Sequence, residues 1–153
     1  MRRVLAALLL MAAAPAGAEE WRRYDNRAFG YALDVPAAFA VAQEDTAQLV
    51  LRDGPRTLEI FGLDIAPLAF EEAVTLAIAS SADEGFAVTA RTVTPGWARW
   101  SGSDGARHVA VAVVPLCGTA LAGFELRYQE ADGAAMQPVI DRLTSTLTST
   151  RAC

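Results

Sequence analysis

The sequence contains no lysine, so its 13 basic side chains are all arginines. Without lysine there is no Schiff-base or pyridoxal chemistry, and no phosphate loop of the GxxxxGK type. Histidine occurs once, at His108, so any imidazole-dependent mechanism must pass through that residue. Cysteine occurs twice, at Cys117 and Cys153, without the paired spacing of a zinc site. Neither an EF-hand loop nor a GxGxxG fingerprint is present. The expectation is therefore no metal and no cofactor. No apolar run reaches the roughly 20 residues that a membrane-spanning helix needs. The formal charge is −5, which disfavours nucleic acid and anionic membranes as partners.

What is present begins with a leader, "MRRVLAALLLMAAAPAGAEE". Arg2 and Arg3 precede an apolar stretch from Val4 to Ala14, and Ala16-Gly17-Ala18 has the small residues of a cleavage site. This pattern predicts a signal peptide over residues 1–18, cut before Glu19. No cysteine near the cut offers a lipid attachment point, so no membrane anchor is expected. Residues 19–153 then form a single domain in the periplasm or outside the cell. In that oxidising setting two cysteines without metal partners predict a Cys117–Cys153 disulfide.

Alternation marks the strands. "FGYALDV" (Phe29 to Val35), "QLVLRDG" (Gln48 to Gly54) and "TLEIFGL" (Thr57 to Leu63) come first, the last two joined at Asp53-Gly54-Pro55. A helix follows, with Phe70, Val74, Ala77, Ile78 and Ser81 on one face and Pro67 in its first turn. Four strands come next: Phe86 to Val93, Trp97 to Gly102, Arg107 to Pro115 and Ala120 to Gln129. Met136, Val139 or Ile140, Leu143 and Leu147 give a closing helix its apolar stripe. Pro138 is expected in the first turn of that helix, where a missing N–H costs nothing. Hairpin connections dominate, so the class is α+β with a largely antiparallel sheet.

The opening of the mature chain carries Tyr24, Asn26, Phe29, Gly30, Tyr31, Val35, Pro36 and Phe39 in a Tyr–Asn–Phe–Gly–Tyr pattern that ends in an aliphatic–Pro–x–x–Phe step. Trp97 with Ser101-Gly102 before a hairpin, "LRYQ" at the last long strand and "PVIDRL" in the closing helix continue the pattern. Taken together these stretches resemble the PsbP-like family, related to the extrinsic protein of photosystem II and the Ran-binding nuclear import factor. Gln129 stands where that pattern has a proline, and His108 to Val111 lacks its aromatic. The resemblance implies an antiparallel sheet sandwiched between helices and a binding or accessory role, with no catalytic residues to carry over.

Two constellations remain. If Asp104-Gly105 forms a two-residue turn, Ser101 lies directly opposite His108, about 5 Å away at Cβ. The pair would then read as a serine–base dyad, although no GxSxG elbow accompanies it. A cross-strand polar pair on a solvent-facing surface is the alternative. Trp97, Arg99 and Ser101 share one strand face, and Arg127, with Arg91, is placed beside them as a site for an anionic or aromatic ligand. Against that stands a helix-covered or solvated sheet face. The functional expectation is a secreted, non-catalytic binding or accessory module that meets a periplasmic protein or a small ligand. The alternative is a small serine hydrolase using Ser101 and His108.

Overall fold

The computed structural model describes residues 19–153, so the leader and its cleavage point lie outside the described residues. Five strands come first: β1 (Trp21–Asn26), β2 (Tyr31–Pro36), β3 (Ala40–Glu44), β4 (Gln48–Asp53) and β5 (Arg56–Asp64). Helix α1 (Phe70–Asp83) follows, then β6 (Ala87–Val93), β7 (Ala98–Ser103), β8 (Arg107–Pro115) and β9 (Ala120–Gln129). Helix α2 (Gly133–Thr146) and a short β10 (Thr148–Ser149) close the chain. Seven strands pair antiparallel in the order β3-β4-β5-β9-β8-β7-β6, while β1, β2 and β10 form a small second sheet. Among the described residues no helix is long and apolar enough to cross a membrane.

The large sheet is covered on both faces. On one, Leu58, Ile60, Phe124 and Leu126 meet Met136, Val139 and Leu143 of α2 and Tyr31, Leu33 and Val35 of β2. On the other, Trp100, Val109, Val111, Val113 and Leu121 meet Val74 and Ile78 of α1. Strand β8 is sandwiched between the two cores, which is why "VAVAVV" shows no polar alternation. The α+β class and the helix-flanked antiparallel sheet are therefore observed.

Local chemistry moves several boundaries. Helix α1 starts at Phe70, not near Pro67, because the Leu68 N–H donates to the Ile65 carbonyl (2.8 Å) and closes a separate turn first. The Glu72 carboxylate then accepts the Ala69 N–H at 2.9 Å, half of a capping box. Pro138 lies inside α2 and not in its first turn, since the helix already begins at Gly133. The proline and Ala134, the residue one turn before it, are both exposed, so water can serve the carbonyl that loses its partner. The first expected strand begins at Tyr31 and runs through Pro36, paired with a β1 strand that the alternation alone did not single out.

Candidate functional site

The turn between β7 and β8 sets the geometry of the sheet around His108. The Asp104 N–H donates to the Arg107 carbonyl (3.0 Å), and the Asp104 carboxylate accepts the Ala106 and Arg107 N–H groups at 3.2 and 2.7 Å. Asp104 therefore occupies the corner before the turn, where its side chain satisfies two backbone donors. Gly105, at φ 94°, and Ala106 become the two central residues. Only glycine takes that first central position without strain.

This corrects the expected register by two residues. His108 pairs with Ser103, while Ser101 pairs with Ala110. Ser101 and His108 keep the same face but stand one pleat apart, and no hydrogen bond joins them. The His108 ring instead stacks on Tyr128 of β9, with centroids 5.4 Å apart and planes 14° off parallel. The dyad geometry is absent.

Arg127 is also displaced from its expected place. It pairs with Val109, and thus faces the α1 side of the sheet, opposite to Trp97 and Arg99. There its guanidinium meets Glu84 at 2.5 Å and Glu125, and lies 5.6 Å from the Phe86 ring centre. Burial pushes the Glu125 carboxyl above its ordinary value, a shift that the Arg127 hydrogen bond opposes and the charges of Glu59 and Glu84 reinforce. Arg91 pairs with Trp100, again toward the α1 side. The sequence could place each arginine on a strand face, but not say which face of the sheet β9 and β6 would present.

Trp97 and Arg99 do come together. Trp97 closes the β6–β7 turn at Thr94-Pro95-Gly96: its N–H donates to the Thr94 hydroxyl oxygen (3.0 Å), and that hydroxyl donates to the Trp97 carbonyl (2.7 Å). These bonds fix the backbone of Trp97 at the end of the turn, and its indole is 37% exposed. The Arg99 guanidinium lies over it, 4.5 Å from the ring centre, a cation–π arrangement. Across the strands Arg99 faces Thr92 and Ala112, neither of them charged. Among the described residues no carboxylate comes within ion-pair distance of Arg99, whereas Arg23, Arg56, Arg107, Arg127 and Arg142 each meet one.

This face is open. Helix α2 packs over β9 and β8 and against β2, leaving β7 and β6 uncovered beside it. The floor there is small, at Ser101, Ala110 and Ala112. Two adjoining hollows of about 370 and about 330 Å³ result, sharing Arg99 and Thr144. One holds Trp97, Ala112, Val114 and Leu147; the other runs to Ser101, Tyr128, Gln137 and Asp141. Gln137, Asp141 and Thr144 were missed by sequence reasoning. Their one signal is the i, i+4, i+7 spacing, which puts them on one helical stripe. A smaller hollow of about 170 Å³ lies on the opposite face between α1 and β5, and it ends at Glu84 and Glu125, both already engaged by Arg127.

Behind the first groove the chain is tied by the expected Cys117–Cys153 disulfide, with Cα atoms 5.3 Å apart. It joins the loop after β8 to the last residue of the chain.

An antiparallel sheet with one helix on each face defines an α+β sandwich. This is the PsbP-like fold. The solution structure of cyanobacterial PsbP (CyanoP) from Synechocystis sp. PCC 6803 matches 92% of this chain and 98% of its own at 15% identity, with a TM-score of 0.59. The Saccharomyces cerevisiae Ran-binding protein Mog1p matches 87% of this chain and 97% of its own at 8% identity, with a TM-score of 0.62. No family model matches the sequence, and no curated protein matches it by sequence.

Proposed function

We propose that this protein is an exported, non-catalytic binding or accessory module that works through the open groove at Trp97 and Arg99. The observation that carries this reading is an exposed indole with an unpaired guanidinium 4.5 Å from its ring centre, at the rim of a hollow of about 370 Å³. The fold supports it, since it is shared with CyanoP and with a protein described as Ran-binding. The leader sequence and the disulfide support an extracytoplasmic location. The hydrolase alternative loses its footing with the separation of Ser101 from His108.

Export is tested by N-terminal sequencing of protein from the periplasm or medium, which should begin at Glu19; an intact Met1 on cytosolic protein refutes it. For the groove, wild type and a Trp97→Ala/Arg99→Gln variant serve as baits in envelope extract. The reading requires a protein or small molecule held by wild type and released by the variant. Fluorophosphonate labelling that vanishes in Ser101→Ala would instead establish the hydrolase.

A further inference from the structure

We infer that the hollow beside Trp97 binds a small organic acid, a single carboxylate on an apolar body, with Arg99 as the group that recognises the charge. The inference rests on reading this groove as the working face of the protein. Its wall sets the apolar side chains of Trp97, Ala112, Val114 and Leu147 beside the polar ones of Arg99 and Thr144, a surface that suits a ligand with both an apolar body and a charged end. At about 370 Å³ it lies near the lower end of small-molecule sites, which favours a compact ligand.

The polar content of that hollow is one guanidinium, Arg99, and one hydroxyl, Thr144. That complement suits one negative charge. A dianion would find no second cation among the side chains of the hollow. The Arg99 guanidinium lies 4.5 Å from the Trp97 ring centre and makes no ion pair among the described residues, so its N–H groups are available to a ligand. The guanidinium edge matches the two oxygens of a carboxylate, and the charge-assisted pair is stronger than a neutral hydrogen bond. Its neighbours Thr92 and Ala112 offer no competing anion. Asp141, in the adjoining hollow, is already bonded by the Gln137 amide at 2.9 Å. It sits on the far side of Arg99 and Thr144 from the apolar bowl, where it repels an anion that strays from Arg99.

The test is titration of the intact exported protein with phenylacetate, and with its neutral counterpart phenylacetamide, followed in ¹H–¹⁵N spectra and by tryptophan fluorescence. Phenylacetate should shift the Trp97 indole N–H and the Ala112 and Thr144 amides, and bind roughly tenfold or more tightly than the amide. Arg99→Gln should abolish that preference while lowering the urea midpoint by no more than about 0.5 M, since Arg99 is exposed, makes no ion pair, and loses only its contact with Trp97. Equal affinity for acid and amide, shifts confined to another face, or a preference that survives in Arg99→Gln overturns the inference. A free acid and the carboxylate end of a peptide share this chemistry. Phenylacetyl-free dipeptides ending in phenylalanine, with free and amidated C-termini, separate the two: only a free acid site rejects both. If phenylacetate fails while capture from envelope extract still depends on Trp97, the ligand class is wrong and the binding-module reading stands.

Discussion

Replacing both Cys117 and Cys153 by serine should lower stability by about 4 kcal/mol while leaving the folded chain where it is. The bond spans a sequence separation of 36. For a closed loop of that size the chain-entropy relation gives about 13 cal/mol/K lost by the unfolded ensemble, or about 4 kcal/mol at 25 °C. The folded tail has other anchors. The Thr150 N–H donates to the Gly30 carbonyl (2.9 Å), and Ser149 pairs with Tyr31. The Arg151 guanidinium donates to the Arg27 and Ala28 carbonyls at 2.5 and 3.3 Å. Its stem crosses Gly30, where an added Cβ would come within 2.6 Å of Cδ, and the glycine φ is 77°. The serine variant should therefore keep its tail docked, so that the loss arises in the unfolded state. Urea unfolding reads the effect: at a slope near 2 kcal/mol/M the midpoint falls by roughly 2 M. A loss below about 1 kcal/mol would refute the entropic reasoning. Large amide shifts at Gly30 and Thr150 would refute the docked tail.

Asn26→Ala should cost about 1–2 kcal/mol in the same urea assay, because it removes a buried amide that bonds the half-buried Phe29 N–H and the Thr46 carbonyl, each at 3.0 Å. Trp100→Phe should cost about 1–2 kcal/mol, since it removes an indole N–H donor from the Ser81 hydroxyl at 3.0 Å, and calorimetry at neutral pH would measure it. Hydrogen bonding from Arg142, with a smaller contribution from Arg23, holds the Asp34 carboxyl below its ordinary value. Its stabilisation is complete above the unfolded pKa of about 3.9 and is lost as pH falls through the lower folded value, so Asp34→Asn should flatten the acid limb of a pH–stability curve. Glu125 has the opposite sign, because burial raises its folded pKa. Stability tied to its protonated form is present below the unfolded value of about 4.3 and is lost as pH rises through the folded one. Glu125→Gln should remove that decline, and an unchanged curve would show that the raised pKa is wrong.

Much of the fold was legible because alternation and turn chemistry act over short distances. The spans Arg107–Pro115 and Ala120–Gln129 appear in the structure with the ends their side-chain patterns suggested. The buried face of α1, at Val74, Ile78 and Ser81, follows from its 3.6-residue period. Strands β1 and β3 were not legible. Every residue of β3 is exposed, so burial leaves no alternation to read, and β1 is defined by its pairing with β2.

The candidate site divides along the same line. Trp97 and Arg99 lie two residues apart, Trp97 just before β7 and Arg99 within it, and extended backbone over that step puts both on one face. The place of His108 turned on whether Asp104 or Gly105 opened the turn, a choice settled by two backbone donors reaching one carboxylate. A two-residue change preserves the face of each side chain yet moves its opposite partner, which is why Ser101 and His108 kept a common face and the dyad did not form.

By itself, then, the sequence determined the chemistry that is impossible without lysine, the α+β class, the pairing of two cysteines and the shared face of Trp97 and Arg99. All of these depend on composition or on neighbours along the chain. Only the tertiary structure decided that Arg127 faces α1 among carboxylates while Arg99 faces an open hollow with none. It also decided that α2 stops short of β7, because that helix follows the large side chains of β9 and β2 and leaves the alanine and serine floor beside them uncovered. Strand faces are set by local alternation, whereas the register between strands and the reach of a helix are set by packing among residues far apart in the chain.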